Sequence, residues 1–376
     1  MRVLHVVSSA SRRGAETFAA DLVGLLAEAG VSQRVAILWA SPRPGLSYPA
    51  PEVPLAPASS AGPLGWVRRV RALRRELGGP APHVVLAHGG DALEHVVLAD
   101  PRHRVPVVYR NIGTASPAIT RGARRAVYAA LMRRPATVIA VADVVARESR
   151  DTFGIPPHRL VTIPNGVDID RLYPARGRAV LRESLGVPDA APVALSIGAL
   201  SWEKDPLALV AVAARVLDRR PDGYLLVVGD GPLRGEVESM VASRGLAGRV
   251  LLLGSRSDVA DLLSAADVLV FASRPGGMEG MPAVLIEAGV AGIPVVSFDV
   301  AGVAEVVEHG VTGIVVPPAD TEGLGAAVLR LFDDEPVRKE LGRRARDRCA
   351  ERFDLRTQLR DYLEILTRAA DRPVGA

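Results

Sequence analysis

A single cysteine, Cys349, stands among 376 residues. That excludes an intramolecular disulfide framework and a cysteine-rich zinc site. The seven histidines form no H-E-x-x-H pattern, so a catalytic zinc has no support either. Aromatic residues make up only 4% of the chain, too few for platforms that stack single-stranded nucleic acid. No apolar run approaches the roughly 20 residues that cross a bilayer. The opening Met1-Arg2-Val3-Leu4-His5-Val6-Val7-Ser8 is too short in its apolar part for a secretory signal, and a histidine breaks it. A cytoplasmic protein is the expectation. Lysine is scarce as well: Lys204 and Lys339 are the two among 46 basic residues. The arginine bias is read as a habit of composition, not as function.

The hydrophobic content, 48%, is enough for packed cores and excludes a disordered chain. At roughly 150 residues per domain the length implies two domains. Charge is divided unevenly between them. Residues 1–175 carry 22 Arg and 13 Asp or Glu, a net of +9, against a net of −5 for the remainder. The excess sits partly in Trp66-Val67-Arg68-Arg69-Val70-Arg71-Ala72-Leu73-Arg74-Arg75 and partly around Val127, Tyr128, Leu131 and Met132, between Arg121 and Arg134. At helical spacing both give an apolar stripe flanked by arginines. Two readings stay open: a face lying on an anionic membrane surface, at the inner leaflet, or ordinary packed helices with a solvated basic side. No nucleic-acid reader motif accompanies the charge.

Short apolar runs alternate with amphipathic helical patterns along the whole chain. Strands are expected at 2–7, 33–39, 83–88, 105–109, 137–142 and 159–163, with helices near 15–29, 64–77, 91–99, 121–132 and 143–153. Residues 41–63 hold seven prolines and read as a long loop. The alternation restarts at Pro192, with strands at 193–198, 224–228, 250–253, 267–271, 294–297 and 313–316. Helices fit 205–219, 232–244, 258–265, 282–291, 320–333 and 336–351, and a last one fits 355–369. This is an α/β pattern with buried parallel sheets. The expected domains are 1–172 and 192–352, joined by a linker at 173–191 and followed by a C-terminal segment at 353–376. Ligands of such folds bind beyond the carboxyl ends of the strands.

The most informative stretch runs from Phe271 through Ser273, Arg274, Gly276, Gly277, Glu279, Gly280, Met281 and Pro282 to Glu287. A buried strand should end near Ser273, and Pro282 suits the first position of a helix. The amides of Gly280 and Met281 would then stand at an open helix N-terminus, which favours phosphate. Glu279 and Glu287 lie on different faces and can grip separate parts of one extended ligand. A carboxylate accepts hydrogen bonds from sugar hydroxyls.

Glu279 and Glu287 form an E-x7-E pattern within S-R-x-x-x-x-E-G-M-P-x-x-x-x-E-A-x-x-A-G-x-P-V-V. This resembles the donor site of the retaining GT-B glycosyltransferases of family 4. Ile197-Gly198-Ala199-Leu200-Ser201-Trp202-Glu203-Lys204 is similar to that family's G-R-L-x-x-x-K segment. Val227-Val228-Gly229-Asp230-Gly231-Pro232 resembles its G-x-G-P turn, and Ile163-Pro164-Asn165-Gly166-Val167-Asp168 its P-N-G-V-D turn. Leu253-Gly254-Ser255-Arg256-Ser257-Asp258 is similar to the segment that meets the nucleobase, and Ser8 to Glu16 to the N-terminal G-G-x-E loop with Gly14. The segments around Gly302 and at 311–318 resemble the family's closing stretch.

The resemblance implies two Rossmann-like domains facing a deep cleft, with a C-terminal helix crossing back to the first. It implies a retaining, metal-independent transfer of a hexosyl or hexosaminyl group from a nucleoside diphosphate sugar to a hydroxyl. The uridine donor is favoured and the guanosine donor comes next. No further cofactor is implied. Lys204 would neutralise the leaving diphosphate, with the amides at Gly280 and Met281 beside Pro282. Glu279 would hold the donor sugar and Glu287 the ribose. Gly14, Arg13, Gly198, Gly229 and Arg256 complete the expected donor contacts. The acceptor, whether lipid-linked, polysaccharide or small molecule, is expected near His88 and Asn111; His88 reads either as a group for acceptor positioning or proton transfer, or as a structural histidine.

Three positions depart from the family pattern. Ala199 stands where the family has the arginine of G-R-L. Arg13 replaces the first glycine of G-G-x-E. The stretch Tyr109-Arg110-Asn111-Ile112-Gly113 lacks the histidine that many members carry there. Two readings stay open: Arg13, its neighbour Arg12, or Arg274 supplies the charge missing at Ala199, or Lys204 and the helix end suffice. Competing readings are a sugar-nucleotide 2-epimerase, a non-catalytic sugar-nucleotide binder, and a nicotinamide dehydrogenase. The last finds only Gly229-Asp230-Gly231-Pro232-Leu233-Arg234-Gly235, which misses G-x-G-x-x-G by one residue.

Overall fold

The computed structural model describes residues 1–39, 45–56, 62–79 and 81–371. It divides into two compact units: Met1–Gly166 with the segment from Leu355 onward, and Val167–Asp354. The sequence places the boundaries instead at a linker over 173–191 and at 352/353. Along the chain, the first unit holds β1 (Arg2–Ser9), α1 (Gly14–Glu28), β2 (Ser32–Trp39), β3 (Glu52–Pro54), α2 (Gly62–Gly78) and β4 (Val84–His88). It continues with α3 (Gly90–Ala99), β5 (Val107–Asn111), α4 (Gly122–Met132), β6 (Thr137–Ala140), α5 (Asp143–Asp151) and β7 (Leu160–Thr162). The second unit holds α6 (Arg178–Ser184), β8 (Val193–Ile197), α7 (Pro206–Arg219), β9 (Tyr224–Val228), α8 (Arg234–Ser243), β10 (Val250–Gly254) and α9 (Val259–Ala265). It ends with β11 (Val268–Phe271), α10 (Ala283–Val290), β12 (Val295–Phe298), α11 (Val303–Val306), β13 (Gly313–Val316), α12 (Thr321–Asp333) and α13 (Glu335–Arg352). The chain then returns to the first unit as α14 (Leu355–Ala370).

Both sheets are parallel, in the orders β3-β2-β1-β4-β5-β6-β7 and β10-β9-β8-β11-β12-β13. The order reverses between β1 and β4 and between β8 and β11, so each sheet has a switch point where loops diverge. The strands are apolar on both faces because helices cover both. In β4, Val84 and Leu86 join Phe18, Leu22 and Leu26 of α1 and Tyr362 and Leu366 of α14. Val85 and Ala87 join Leu73 of α2, Leu93 of α3 and Met132 of α4 on the other side.

Three elements lie where the sequence reading has none. Within the proline-rich loop, β3 pairs with β2 through Val35, Ala36 and Ile37; it sits at the sheet edge, where Pro54 needs no ladder N–H. The rest of that loop expectation includes 41–44 and 57–61, outside the described residues. The short α11 stands over 303–306. The expected linker contains α6, and that segment is firmly held. Arg182 is 1% exposed. It donates to Ala265 O at 3.0 Å, Ala191 O at 2.7 Å and Asp267 Oδ2 at 2.9 Å. Asp267 also accepts from Arg178 at 2.7 Å and from the Val193 N–H at 2.8 Å. Each donor of Arg182 that turns inward finds an oxygen, which is the condition for burying a guanidinium.

The basic stripe of α2 is partly a core feature. Gly65, Arg69, Leu73 and Leu77 are buried. Arg69 lies 3.6 Å from the Trp39 ring centroid and donates to His95 Nε2 at 3.3 Å. Arg68, Arg71, Arg74 and Arg75 remain outside, as do Gly122–Val127 of α4. Among the described residues no helix is long and apolar enough to cross a membrane.

Candidate active site

The second unit gathers most of the expected donor residues at the carboxyl ends of β8, β9 and β11. Beyond β8 the chain passes through Gly198, Ala199 and Leu200 into a 3-10 turn, Trp202–Lys204. Asp205 then adopts a left-handed backbone, φ 44°, and caps α7 by accepting from Ala208 N at 3.2 Å, with Pro206 at the first helical position. This cap fixes the direction in which Lys204 leaves the backbone. A pocket is lined there by Gly198, Ala199, Lys204, Val228, Phe271 and Ser273, among others.

Glycine makes these loops possible. At Gly229 (φ +136°) a Cβ would overlap the Gly198 carbonyl, and at Gly302 (φ +78°) it would overlap the Gly280 carbonyl. Backbone ties confirm the close approach: Gly198 N donates to Val228 O at 2.9 Å, Leu200 N to Asp230 O at 3.1 Å, and Gly229 N to Gly254 O at 2.8 Å. The ends of β8, β9 and β10 are thereby locked together, and no side chain could intervene.

Lys204 Nζ is hydrogen-bonded to Glu279 Oε1, and Ser273 Oγ donates to the same oxygen at 2.9 Å. The ammonium also stands 5.2 Å from the Phe271 ring centroid. Thus a cation and a carboxylate that the sequence separates by 75 positions share one mouth. Their side chains are 27% and 11% exposed, so solvent screening of the pair is incomplete. Met278, at φ 59°, turns the chain into Glu279. Gly280, Met281 and Pro282 lead into α10, whose first turn has no side-chain cap. That leaves a helix N-terminus of suitable polarity beside Lys204 and Glu279. Glu287 lies further along α10 and accepts from Arg171 Nη2 at 3.1 Å.

The neighbouring cations are engaged. Arg274, expected as a substitute for the missing arginine, pairs with Asp205 at 2.7 and 2.9 Å and lies over Trp202. Its charge braces the α7 cap and is not available to a ligand in this state. Arg256 grips Asp258 with both arms, at 2.8 and 2.5 Å. That hydrogen bonding holds the Asp258 carboxyl down at about 2.

The first unit encloses both residues expected near the acceptor. His88 is 3% exposed and is stacked on His5. Its Nε2 lies 3.2 Å from His5 Nδ1, while His5 Nε2 lies 2.9 Å from Gln33 Oε1. Gln33 Nε2 donates to Val23 O, so its Oε1 is the acceptor. His5 then carries its proton on Nε2, and His88 must donate from Nε2 to His5 Nδ1. Burial pushes His5 down to about 4. Burial, with His5 and Arg110 adding, pushes His88 well below its ordinary value. A neutral imidazole enclosed in this way is a poor proton shuttle. Asn111 is likewise turned inward: it accepts from Tyr109 OH at 3.1 Å and donates to Ser149 Oγ at 3.2 Å. Arg13 and Gly14 stand exposed at the start of α1, and Arg12 donates to Gly45 O at 3.2 Å.

Two partners escaped the sequence reading. Ser273 had been seen only as a strand end. Arg171 lies between two motifs and belongs to neither; its one signal is its place three residues past the P-N-G-V-D turn.

Known proteins match along the chain. Residues 177–348 match the model of glycosyl transferases group 1, and residues 12–171 match that of glycosyltransferase family 4. The alpha-D-kanosaminyltransferase of Streptomyces kanamyceticus is 31% identical over 316 residues, 80% of each chain. The N-acetyl-alpha-D-glucosaminyl L-malate synthase of Bacillus anthracis is 30% identical over 216 residues, 57% of this chain and 55% of that protein, so the match spans about half of its length. The fold is shared with HepE of Anabaena, crystallised with UDP and glucose, at a TM-score of 0.83 and 24% identity over 97% of this chain and 99% of that one. The chain therefore belongs to the GT-B glycosyltransferases of family 4, retaining enzymes that use nucleotide sugars.

Proposed function

We propose that the chain transfers a hexosyl or hexosaminyl group from a UDP-sugar, with a GDP-sugar as the second choice, to a hydroxyl acceptor. The anomeric configuration is retained. The observation that carries this reading is the Lys204–Glu279–Ser273 cluster at the mouth of β8 and β11. Lys204 meets the β-phosphate as it leaves, together with the amides that open α10, so the charge is answered without a bound metal. Glu279, oriented by Ser273, exchanges Lys204 for the hydroxyls of the donor sugar. Glu287 takes the ribose. The transition state is loose and oxocarbenium-like. The departing phosphate oxygen helps to accept the proton of the attacking hydroxyl, so no enzyme nucleophile is needed. The protein orients the partners and stabilises the phosphate.

The uridine preference is supported by HepE, whose crystals hold UDP and glucose. The hexosaminyl option is supported by the kanosaminyl and N-acetylglucosaminyl groups in the names of two relatives. The second unit is the donor side and the first the acceptor side of this scheme. The acceptor is a small molecule, a polysaccharide or a lipid-linked sugar met on the cytoplasmic side.

The test is thermal unfolding with UDP, GDP, ADP, their sugar conjugates and NAD, on the wild type and Glu287→Ala. A ligand at 100 times its dissociation constant adds about 2.7 kcal/mol to the native state. A shift with UDP and its sugars that Glu287→Ala abolishes supports the reading. A shift with NAD alone sinks it.

A further inference from the structure

The turn Ile169–Leu172 follows directly on the segment where the chain enters the second unit. It is closed by Asp168, whose Oδ1 accepts from Asp170 N at 3.2 Å, and it is anchored by buried Leu172. Val167 N, just before it, donates to Phe353 O at 2.9 Å. The turn rests on α10. From it Arg171 reaches Glu287, Nη2 to Oε1 at 3.1 Å, with side-chain exposures of 27% and 13%.

We propose that Arg171 is a positioning residue for nucleotide recognition: it occupies one oxygen of Glu287 and presents the other to the vicinal ribose hydroxyls of the donor. This rests on the reading of Glu287 given above. A carboxylate has about four acceptor sites on two oxygens, so one guanidinium arm leaves Oε2 for a ligand. The ribose diol is uncharged, whereas the diphosphate beside it is anionic. A bare Glu287 would repel that diphosphate, and pairing with Arg171 removes the repulsion while keeping the acceptor oxygen. The pairing also holds a flexible side chain in one geometry before the donor arrives, which lowers the ordering cost of binding. Arg171 is not the cation missing at Ala199. Glu287 lies four residues beyond Ala283, about 6 Å along the helix axis, at the ribose and not at the phosphates.

The experiment compares UDP with 2′,3′-dideoxy-UDP by calorimetry on the wild type, Arg171→Ala, Arg171→Lys and Glu287→Ala. The wild type should prefer UDP by on the order of 30-fold or more, as expected for hydrogen bonds to a charged acceptor. Arg171→Ala should cut that preference by about tenfold, with Arg171→Lys recovering part of it. Weaker binding of both nucleotides by one factor, with the preference intact, would mean that Arg171 merely holds the turn, and would overturn the proposal. If Glu287→Ala keeps the wild-type preference, the ribose reading itself fails. If Glu287→Ala abolishes the preference and Arg171→Ala does not, only the role of Arg171 fails.

Discussion

Along the strands of the first sheet, up to the carboxyl ends of β4 and β5, polar side chains are drawn inward: Gln33, His5, His88 and Arg110 are all 8% exposed or less. At the corresponding ends of the second sheet, Lys204, Glu279 and Ser273 gather at a pocket beside loops locked by glycine. The two units share an architecture but use their polar residues in opposite ways. In the first, His5 bridges His88 and Gln33, while Arg110 donates to Asn165. In the second a cation and a carboxylate meet beside a pocket, with Lys204 27% and Glu279 11% exposed.

The largest effect should come from the pair in the second unit. Lys204→Met keeps much of the side-chain volume but removes the cation proposed to meet the leaving phosphate. It should lower kcat by about 10²- to 10³-fold, the usual range for losing a group that acts on developing charge. Donor affinity should fall less, because the α10 amides remain. Steady-state kinetics with varied donor separates the two. A variant within threefold of wild-type kcat would shift the phosphate role elsewhere and remove the contrast between the units.

Legibility followed the same divide. Glycines at 229 and 302 are demanded by backbone contact, so their spacing reports a loop geometry directly. Pro206 after Asp205 likewise reports a helix start that aims Lys204. The strand–helix alternation was readable because buried parallel strands are continuous apolar runs. The surroundings of His88 and Asn111 were not readable, because a polar residue at a strand end looks the same whether its side chain points to solvent or to a neighbouring polar group. Here His5 and Gln33, from two other strands, captured the imidazole network, and Ser149 of α5 captured Asn111. The α6 segment failed for a related reason: Arg178 and Arg182 read as solvated linker residues, and their partner Asp267 is more than 80 positions away.

A second prediction probes the first unit. His5 and His88 fold as neutral groups, with pKa values below the unfolded value of 6.5. The unfolded chain then binds more protons between pH 6.5 and the folded values. Their contribution is fully present above about pH 6.5 and is lost as pH falls towards about 4 for His5 and beyond for His88. For His5 alone the loss is on the order of 3 kcal/mol. Glu16, held up by burial, works in the other direction and stabilises as it protonates. Hydrogen exchange of β1 and β4 amides against pH should show the acid loss, and His88→Gln should flatten it. The same variant should keep kcat within about threefold near neutral pH. A hundredfold fall in kcat with the fold intact would restore His88 to the chemistry.

The smallest effect concerns the charge missing at Ala199. With Arg274 spent on Asp205, Arg12 and Arg13 are the exposed arginines left among the stated substitutes, and Arg12 already donates to the Gly45 carbonyl. A solvent-exposed guanidinium acting on a diphosphate is worth little and is screened by salt. Arg13→Ala should therefore raise the donor KM by about three- to fivefold at low ionic strength and by almost nothing at about 0.5 M salt, with kcat unchanged. Adding Ala199→Arg to that variant should restore donor affinity, because residue 199 lines the pocket that Lys204 enters. An unchanged KM in Arg13→Ala at low salt would show that Lys204 and the opening of α10 hold the diphosphate alone. The exposed charge of the first unit would then have no part in the donor site of the second.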